Sequence, residues 1–70
     1  MKGMTIKQQL AARFNLQAQG YTVVGWARAR GFKEDTVKNA LYRVWGRGEK
    51  VGPKTEEIIL ALQVDGFVKV

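Results

Sequence analysis

Cysteine and histidine are both absent from this sequence of 70 residues. Without cysteine the chain has no disulfide bonds, thiolate metal ligands or thiol nucleophiles. Without histidine it lacks the commonest general base and metal ligand. Only six acidic residues occur, and they are too scattered to form an obvious pair for acid–base catalysis. We therefore expect no enzymatic activity, no cofactor, no metal and no small-molecule substrate.

A long hydrophobic run is also missing. The longest clearly apolar stretch, residues 58–62, is far shorter than the roughly 20 residues needed to cross a bilayer. The first residues lead into polar side chains and not into the apolar stretch of a secretory signal. We therefore expect a cytoplasmic chain with no membrane partner.

Positive charge dominates what is present. Twelve basic residues against six acidic ones give a formal net charge of +6, with a pI of about 10.1. Eight of the twelve basic residues fall between positions 28 and 54, where only three acids occur. An excess concentrated in one segment favours a polyanionic partner, either a nucleic acid or a membrane surface.

The first predicted helix begins at Thr5. Thr5 and Gln8 have the spacing of a capping box, in which each side chain bonds to the backbone N–H of the other residue. Gly20 fits the end of this helix, because helices often end at a left-handed residue and glycine adopts that conformation without a Cβ clash. The helix itself is predicted by apolar residues at helical spacing, namely Ile6, Leu10, Ala11, Phe14 and Ala18.

Two further helices are predicted in the middle of the chain. Thr22 suits the N-cap of a short helix that runs to about Arg30, and Gly31 ends it. The apolar residues that share one face of this helix are Val23, Trp26 and Ala27. The next helix is expected over residues 33–45. Its amphipathic stripe consists of Val37, Ala40, Leu41 and Val44.

The segment 46–53 is predicted to be a loop, because it holds three glycines and the only proline. Pro53 suits the first turn of a fourth helix, whose buried face consists of Ile58, Ile59 and Leu62. The tail carries an Asp-Gly turn signal at 65–66 but is too short for a stable hairpin. We expect one all-α domain over residues 1–70, a compact bundle of four to five short helices, with flexible ends at 1–4 and 65–70.

The most informative segment spans residues 23–42, VVGWARARGFKEDTVKNALY. Two helices cross steeply only where the crossing residues are small and the turn is tight, and Ala27 and Gly31 meet this requirement, with Phe32 facing inward. Val37 and Ala40 then pack the second helix against the first. The start and outer face of the helix over residues 33–45 project away from the core, and such a helix fits the major groove of DNA.

This pattern of Ala27, Gly31, Phe32, Val37 and Ala40 resembles the helix-turn-helix of the lambda-repressor-like superfamily. The chain is also similar, over about residues 8–62, to the Ner-type regulators of transposable bacteriophages, in the runs GYTVVGWARARGF, TVKNAL and EEIILAL. The resemblance implies a phage or prophage regulator, acting as a repressor on the DNA of a bacterial host cell. Small readers of this kind commonly bind in pairs on two half-sites, so we expect a homodimer at least on double-stranded DNA.

We expect the helix over residues 33–45 to read base edges. Asparagine pairs bidentately with adenine, lysine bonds to guanine or phosphate, and glutamate accepts from the amino group of cytosine. The expected base contacts are Lys33, Glu34, Thr36, Lys38, Asn39 and, through its hydroxyl, Tyr42. Acids in the first turn also stabilise the helix dipole, which alone explains Glu34 and Asp35. Trp26 and Trp45 are expected to pack in the core.

Phosphate contacts are expected from the basic residues on either side of the reading helix. The candidates are Arg28, Arg30, Arg43, Arg47, Lys50 and Lys54. The last four surround a glycine-rich loop, and such backbone approaches phosphates closely. The alternative for all of them is a solvated surface whose charge keeps the protein soluble.

Two other functions compete with a DNA-binding regulator. In the first, the basic face docks on an acidic protein or a membrane surface without reading bases. In the second, the chain binds DNA as a targeting subunit of a transposition or recombination complex, and a partner supplies the chemistry. Competition with heparin and unrelated duplexes tests the first alternative, and a promoter-fusion assay tests the second.

Overall fold

The computed structural model describes residues 2–69, which form four helices and no strand. The helices are α1 (Ile6–Ala18), α2 (Val23–Arg30), α3 (Glu34–Tyr42) and α4 (Pro53–Val64). α3 is the central element, since it packs against each of the other three helices. The prediction of an all-α bundle of short helices is confirmed.

Local sequence signals set three of the helix ends as predicted. At the start of α1, the Gln8 backbone N–H donates to Thr5 Oγ1 at 3.1 Å, and the Thr5 N–H donates to Gln8 Oε1 at 2.8 Å. At the start of α2, the Gly25 N–H donates to Thr22 Oγ1 at 2.9 Å. Gly31 ends α2 with a φ of 75°, the left-handed conformation that glycine adopts most easily. The capping box at Thr5, the N-cap at Thr22 and the helix end at Gly31 are therefore confirmed.

The connection between α2 and α3 is only three residues long, 31–33. The Phe32 N–H donates to the Ala27 carbonyl at 2.8 Å, which folds the chain back over the end of α2. The Phe32 ring lies 5.7 Å from the ring of Trp26, centroid to centroid, and is half-buried against the core. Both Trp26 and Phe32 face inward, as predicted.

The buried face of α1 consists of Gln9, Ala12 and Leu16. The apolar residues whose spacing predicted this helix lie on the opposite side. Ile6, Leu10 and Phe14 are 56%, 54% and 70% exposed. α1 therefore carries apolar side chains both towards the core and towards solvent.

α3 ends at Tyr42 and not near Trp45, so the predicted boundary is wrong by three residues. Arg43 has extended backbone, with a ψ of 133°, and the side chain of Val44 is 70% exposed. The stripe of Val37, Ala40 and Leu41 is buried as predicted, but Val44 does not continue it. Trp45 is half-buried and lies against Gly3, so it covers an edge of the fold rather than the centre of the core.

A buried amide explains where α3 stops. Gln9 Nε2 donates to the carbonyl of Ala40 at 3.0 Å and to that of Arg43 at 2.6 Å. These carbonyls lie at the end of α3, where the last carbonyls of a helix have no partner within it. Gln9 is only 3% exposed, so the bonds are made inside the protein and join α1 to the end of α3.

Both ends of the described chain contribute to the core. Met4, Phe67 and Val68 are buried, which differs from the expectation that residues 1–4 and 65–70 are flexible. The Phe67 N–H donates to the Leu62 carbonyl at 2.9 Å, and Asn15 Nδ2 donates to the Phe67 carbonyl at 2.8 Å. The tail therefore folds back from α4 onto α1. The same expectation for residues 1 and 70 lies outside the described residues.

The loop before α4 is joined to the N-terminal segment. Lys2 and Lys50 form an isolated antiparallel bridge, and the Gly3 N–H donates to the Glu49 carbonyl at 3.2 Å. Pro53 occupies the first turn of α4, as predicted. The predicted core residues of α4, namely Ile58, Ile59 and Leu62, are all buried.

Candidate nucleic-acid interface

The outward face of α3 is the surface predicted to read bases. Because a helix turns by 100° per residue, the buried stripe leaves one opposite face open to solvent. That face consists of four exposed residues, Asp35, Lys38, Asn39 and Tyr42. Two further candidates, Glu34 and Thr36, are half-buried at its edges. The structure thus brings most of the predicted base contacts to one surface.

The start of α3 adjoins a shallow cleft of about 210 Å³. Lys33, Thr36 and Lys54 all line this cleft, which brings a candidate phosphate contact of α4 beside two candidate base contacts. Lys33 occupies the N-cap of α3, and no side chain caps the first turn. Uncapped backbone N–H groups and the helix dipole favour an anion at this end.

Two of the predicted contacts are paired with each other. Arg28 Nε lies 2.8 Å from Glu34 Oε1, so the carboxylate expected to read cytosine already has a guanidinium partner. Arg43 Nη2 lies 3.2 Å from Glu49 Oε2. Exposed ion pairs contribute little to stability, typically about 0.2–1 kcal/mol. Each pair nevertheless cancels one positive charge on the candidate surface.

Arg30 is held on a different side of the molecule. Its guanidinium forms a two-pronged ion pair with Asp65, which also accepts the indole N–H of Trp26 at 3.0 Å. The Trp26 N–H, together with Arg30, holds the pKa of the Asp65 carboxyl below its ordinary value. Arg30 thus fixes the turn after α4, which weakens its assignment as a phosphate contact.

Five of the predicted contacts are exposed cations with no ion pair within residues 2–69. These are Lys33, Lys38, Arg47, Lys50 and Lys54. They come from the start of α3, its outward face, the loop and the start of α4. No carboxylate of the described chain forms an ion pair with them, which leaves them open to an external anion, although Glu57 lines the same cleft as Lys33 and Lys54.

Two cations near this surface were missed by sequence reasoning. The Arg13 guanidinium lies 4.4 Å from the ring centroid of Tyr42, so α1 places a cation beside the end of α3. Lys2 reaches the loop through its bridge with Lys50. Arg13 is far from Tyr42 in the sequence, and Lys2 is far from Lys50, so no local pattern could have indicated either contact.

Trp45 and Arg43 form a second stacked pair. The Arg43 guanidinium lies 4.3 Å from the ring centroid of Trp45. Arg43 therefore contacts both an aromatic ring and Glu49, and its side chain folds back onto the protein surface. The two contacts hold the Arg43 side chain beside the loop.

The described residues offer few other kinds of site. Within residues 2–69, no group of three or more acidic side chains could hold a metal ion. No helix of this part of the chain has the length and apolarity required to cross a bilayer. Asp65, the acid with the most polar contacts, is fully engaged by Trp26 and Arg30.

Three features make up the candidate interface: the open face of α3, the cleft at its start, and the five cations that form no ion pair within residues 2–69. Their proximity depends on the short connection at 31–33 and on the loop anchored by Lys2. No protein-family model, curated protein or solved structure matches the chain.

Proposed function

We propose that this protein binds double-stranded DNA and reads its sequence with α3 in the major groove. In this proposal α2, the turn at 31–33 and α3 act as a helix-turn-helix, with α2 positioning α3. One observation carries the proposal. The open face of α3 presents Lys38 and Asn39, and cations without an acidic partner lie on the elements at both ends of that helix.

The side chains on the open face have the chemistry for base readout. Asn39 pairs with an adenine through its N6 and N7 atoms, and Lys38 donates to guanine O6 or N7. Asp35 is exposed on the same face and is able to accept from the amino group of cytosine. Glu34 is paired with Arg28, so we assign it to positioning and not to readout.

Phosphates are bound on the two sides of α3. On one side, Lys33 and Lys54 flank the cleft at the uncapped helix start. On the other side, Arg47 and Lys50 extend from the loop. Release of counterions by about five such cations lowers the affinity by roughly two to three orders of magnitude between about 50 and 200 mM salt.

Two variants separate readout from backbone binding. Asn39→Ala lowers discrimination between the preferred duplex and single-base variants by about 1–3 kcal/mol. Lys50→Ala weakens binding to every duplex alike and reduces the salt slope by about one. The measurement is fluorescence anisotropy on duplexes first recovered from a random pool. If both variants act equally on all sequences, α3 is not the reading helix.

We further propose that the DNA-binding chain is a repressor of a phage or prophage in a bacterial cell. The support is the resemblance to Ner-type regulators, and the role requires two copies on two half-sites. Repression of a promoter fusion carrying the recovered duplex, lost with Asn39→Ala, tests this role. A fusion that responds to neither the protein nor its variant contradicts it.

A further inference from the structure

The solvent-facing side of α1 is apolar. Ile6, Leu10 and Phe14 follow one another at helical spacing and are all more than half exposed. The inner side of the same helix is buried in the core. A helix with apolar residues on both sides is characteristic of one that is covered on both sides. Lys7 lies on this outer face and is exposed, and the helix contains no acidic residue.

α4 also has an apolar outer face, and this face carries an acidic residue where the outer face of α1 carries a basic one. Leu60 and Val64 are 43% and 81% exposed, whereas Ile58, Ile59 and Leu62 on the inner side are buried. Glu57 is exposed one turn before Leu60. Within residues 2–69, neither Glu57 nor Lys7 forms an ion pair.

The two outer faces match residue by residue. On α1 the order is Lys7, Leu10, Phe14, and on α4 it is Glu57, Leu60, Val64. Both series are spaced by three and then four residues, so each forms one stripe along its helix. Two such helices from different copies, side by side and parallel, place the lysine opposite the glutamate and the apolar residues opposite each other.

From this match we infer that the protein self-associates head to tail, with the outer face of α1 on one copy packed against the outer face of α4 on the next. The inference goes beyond DNA binding and does not depend on it. A symmetric contact between two α1 helices would leave Lys7 without an acidic partner, because this helix contains no acid. A symmetric contact between two α4 helices would place Glu57 opposite itself if the helices are parallel and opposite the apolar Val64 if they are antiparallel.

A head-to-tail contact leaves one free face at each end of every assembly. Copies are therefore added without a fixed limit unless the assembly closes into a ring. The face is small for a protein interface, so we expect association in the micromolar to millimolar range. Sedimentation equilibrium of the full chain without DNA should give an average mass that rises steadily with concentration above the 7.9 kDa of one copy.

Mixing two defective variants tests the asymmetry of the contact. Phe14→Asp removes the α1 face and Val64→Asp removes the α4 face, and each variant alone should be monomeric. Their equimolar mixture should form a dimer that grows no further, since each retains the face that the other lacks. Ala29→Asp is the control, because it adds the same charge at an exposed position of α2 and should associate like the wild type.

A charge exchange tests the register. Lys7→Glu and Glu57→Lys should each weaken association at low salt by several-fold, and the double variant should restore it. Circular dichroism confirms that each variant is folded, which the exposure of all four positions leads us to expect. A wild type that stays monomeric at millimolar concentration overturns the inference. A Val64→Asp variant that still associates also overturns the inference. A wild-type protein whose α1 face binds only to vesicles of anionic lipid overturns it as well.

Discussion

The amide of Gln9 is the polar group on which the end of α3 depends. Gln9→Met keeps an unbranched side chain of similar length but removes the donor that serves the carbonyls of Ala40 and Arg43. A hydrogen bond contributes about 0.5–1.5 kcal/mol net, and a buried acceptor left without a donor costs about 1–3 kcal/mol. Burial of the apolar methionine side chain offsets some of this loss. We expect the free energy of unfolding to fall by about 2–3 kcal/mol.

Such a loss is large for a chain of this size. Domains are stabilised by about 0.05–0.15 kcal/mol per residue, or about 4–10 kcal/mol here. At about 4–8 °C per kcal/mol for small domains, the Tm falls by roughly 10–20 °C. Urea denaturation followed by circular dichroism measures the change directly. In the same variant, the Arg43 N–H, which donates to the Asn39 carbonyl at 3.1 Å, should exchange faster with solvent.

Gln17→Met is the matched control, because Gln17 lies on the exposed side of the same helix. An exposed substitution of this kind changes the stability by less than about 0.5 kcal/mol. If Gln9→Met and Gln17→Met unfold at the same urea concentration, the amide does not join α1 to α3. Faster exchange throughout α2 and α4, without a specific change at Arg43, would also refute the reasoning.

Three other substitutions probe separate contacts. Asp65→Asn should lower the free energy of unfolding at pH 7. The lowered pKa of Asp65 stabilises the fold above the ordinary carboxyl pKa of about 4, so the difference in stability between variant and wild type should shrink when urea denaturation is repeated at lower pH. Gly31→Ala should cost about 1 kcal/mol in urea denaturation, since its φ of 75° strains any residue with a Cβ, and an unchanged midpoint would contradict this. Gly3→Ala places a Cβ against Trp45 Cγ, closer than van der Waals contact allows, so the indole N–H resonance of Trp45 should shift while that of Trp26 stays in place.

Helix positions and most helix ends were predictable because their causes are local. Thr5, Thr22 and Pro53 act within their own first turns, and Gly31 acts through its own backbone. The buried side of α1 was not predictable from spacing. The predicted apolar stripe and the stripe that contains Gln9 both have helical periodicity, and only contacts with distant helices decide which one is covered. The end of α3 was missed for the same reason, since its carbonyls bond to Gln9, more than thirty residues earlier.

For the candidate interface, the sequence predicted the open face of α3 because Val37, Ala40 and Leu41 fix the opposite side. It did not predict which cations are paired. The ion pair between Arg30 and Asp65 joins residues thirty-five positions apart. The stacking of Arg13 on Tyr42 likewise depends on how α1 and α3 pack. Pairings of this kind follow from the tertiary structure and leave no trace in a local pattern.

The shortness of α3 limits how much information one copy could extract from a genome. Nine residues at 1.5 Å each give a rod of about 13 Å, which spans about four base pairs at 3.4 Å per step. There are about 256 different sequences of four base pairs, so any one of them recurs thousands of times among the roughly 10⁶ or more sites of a genome. On the proposed function, recognition of a single site in a genome therefore requires several four-base-pair sequences at fixed intervals. The spacing between bound copies then contributes as much to specificity as the side chains of α3 do.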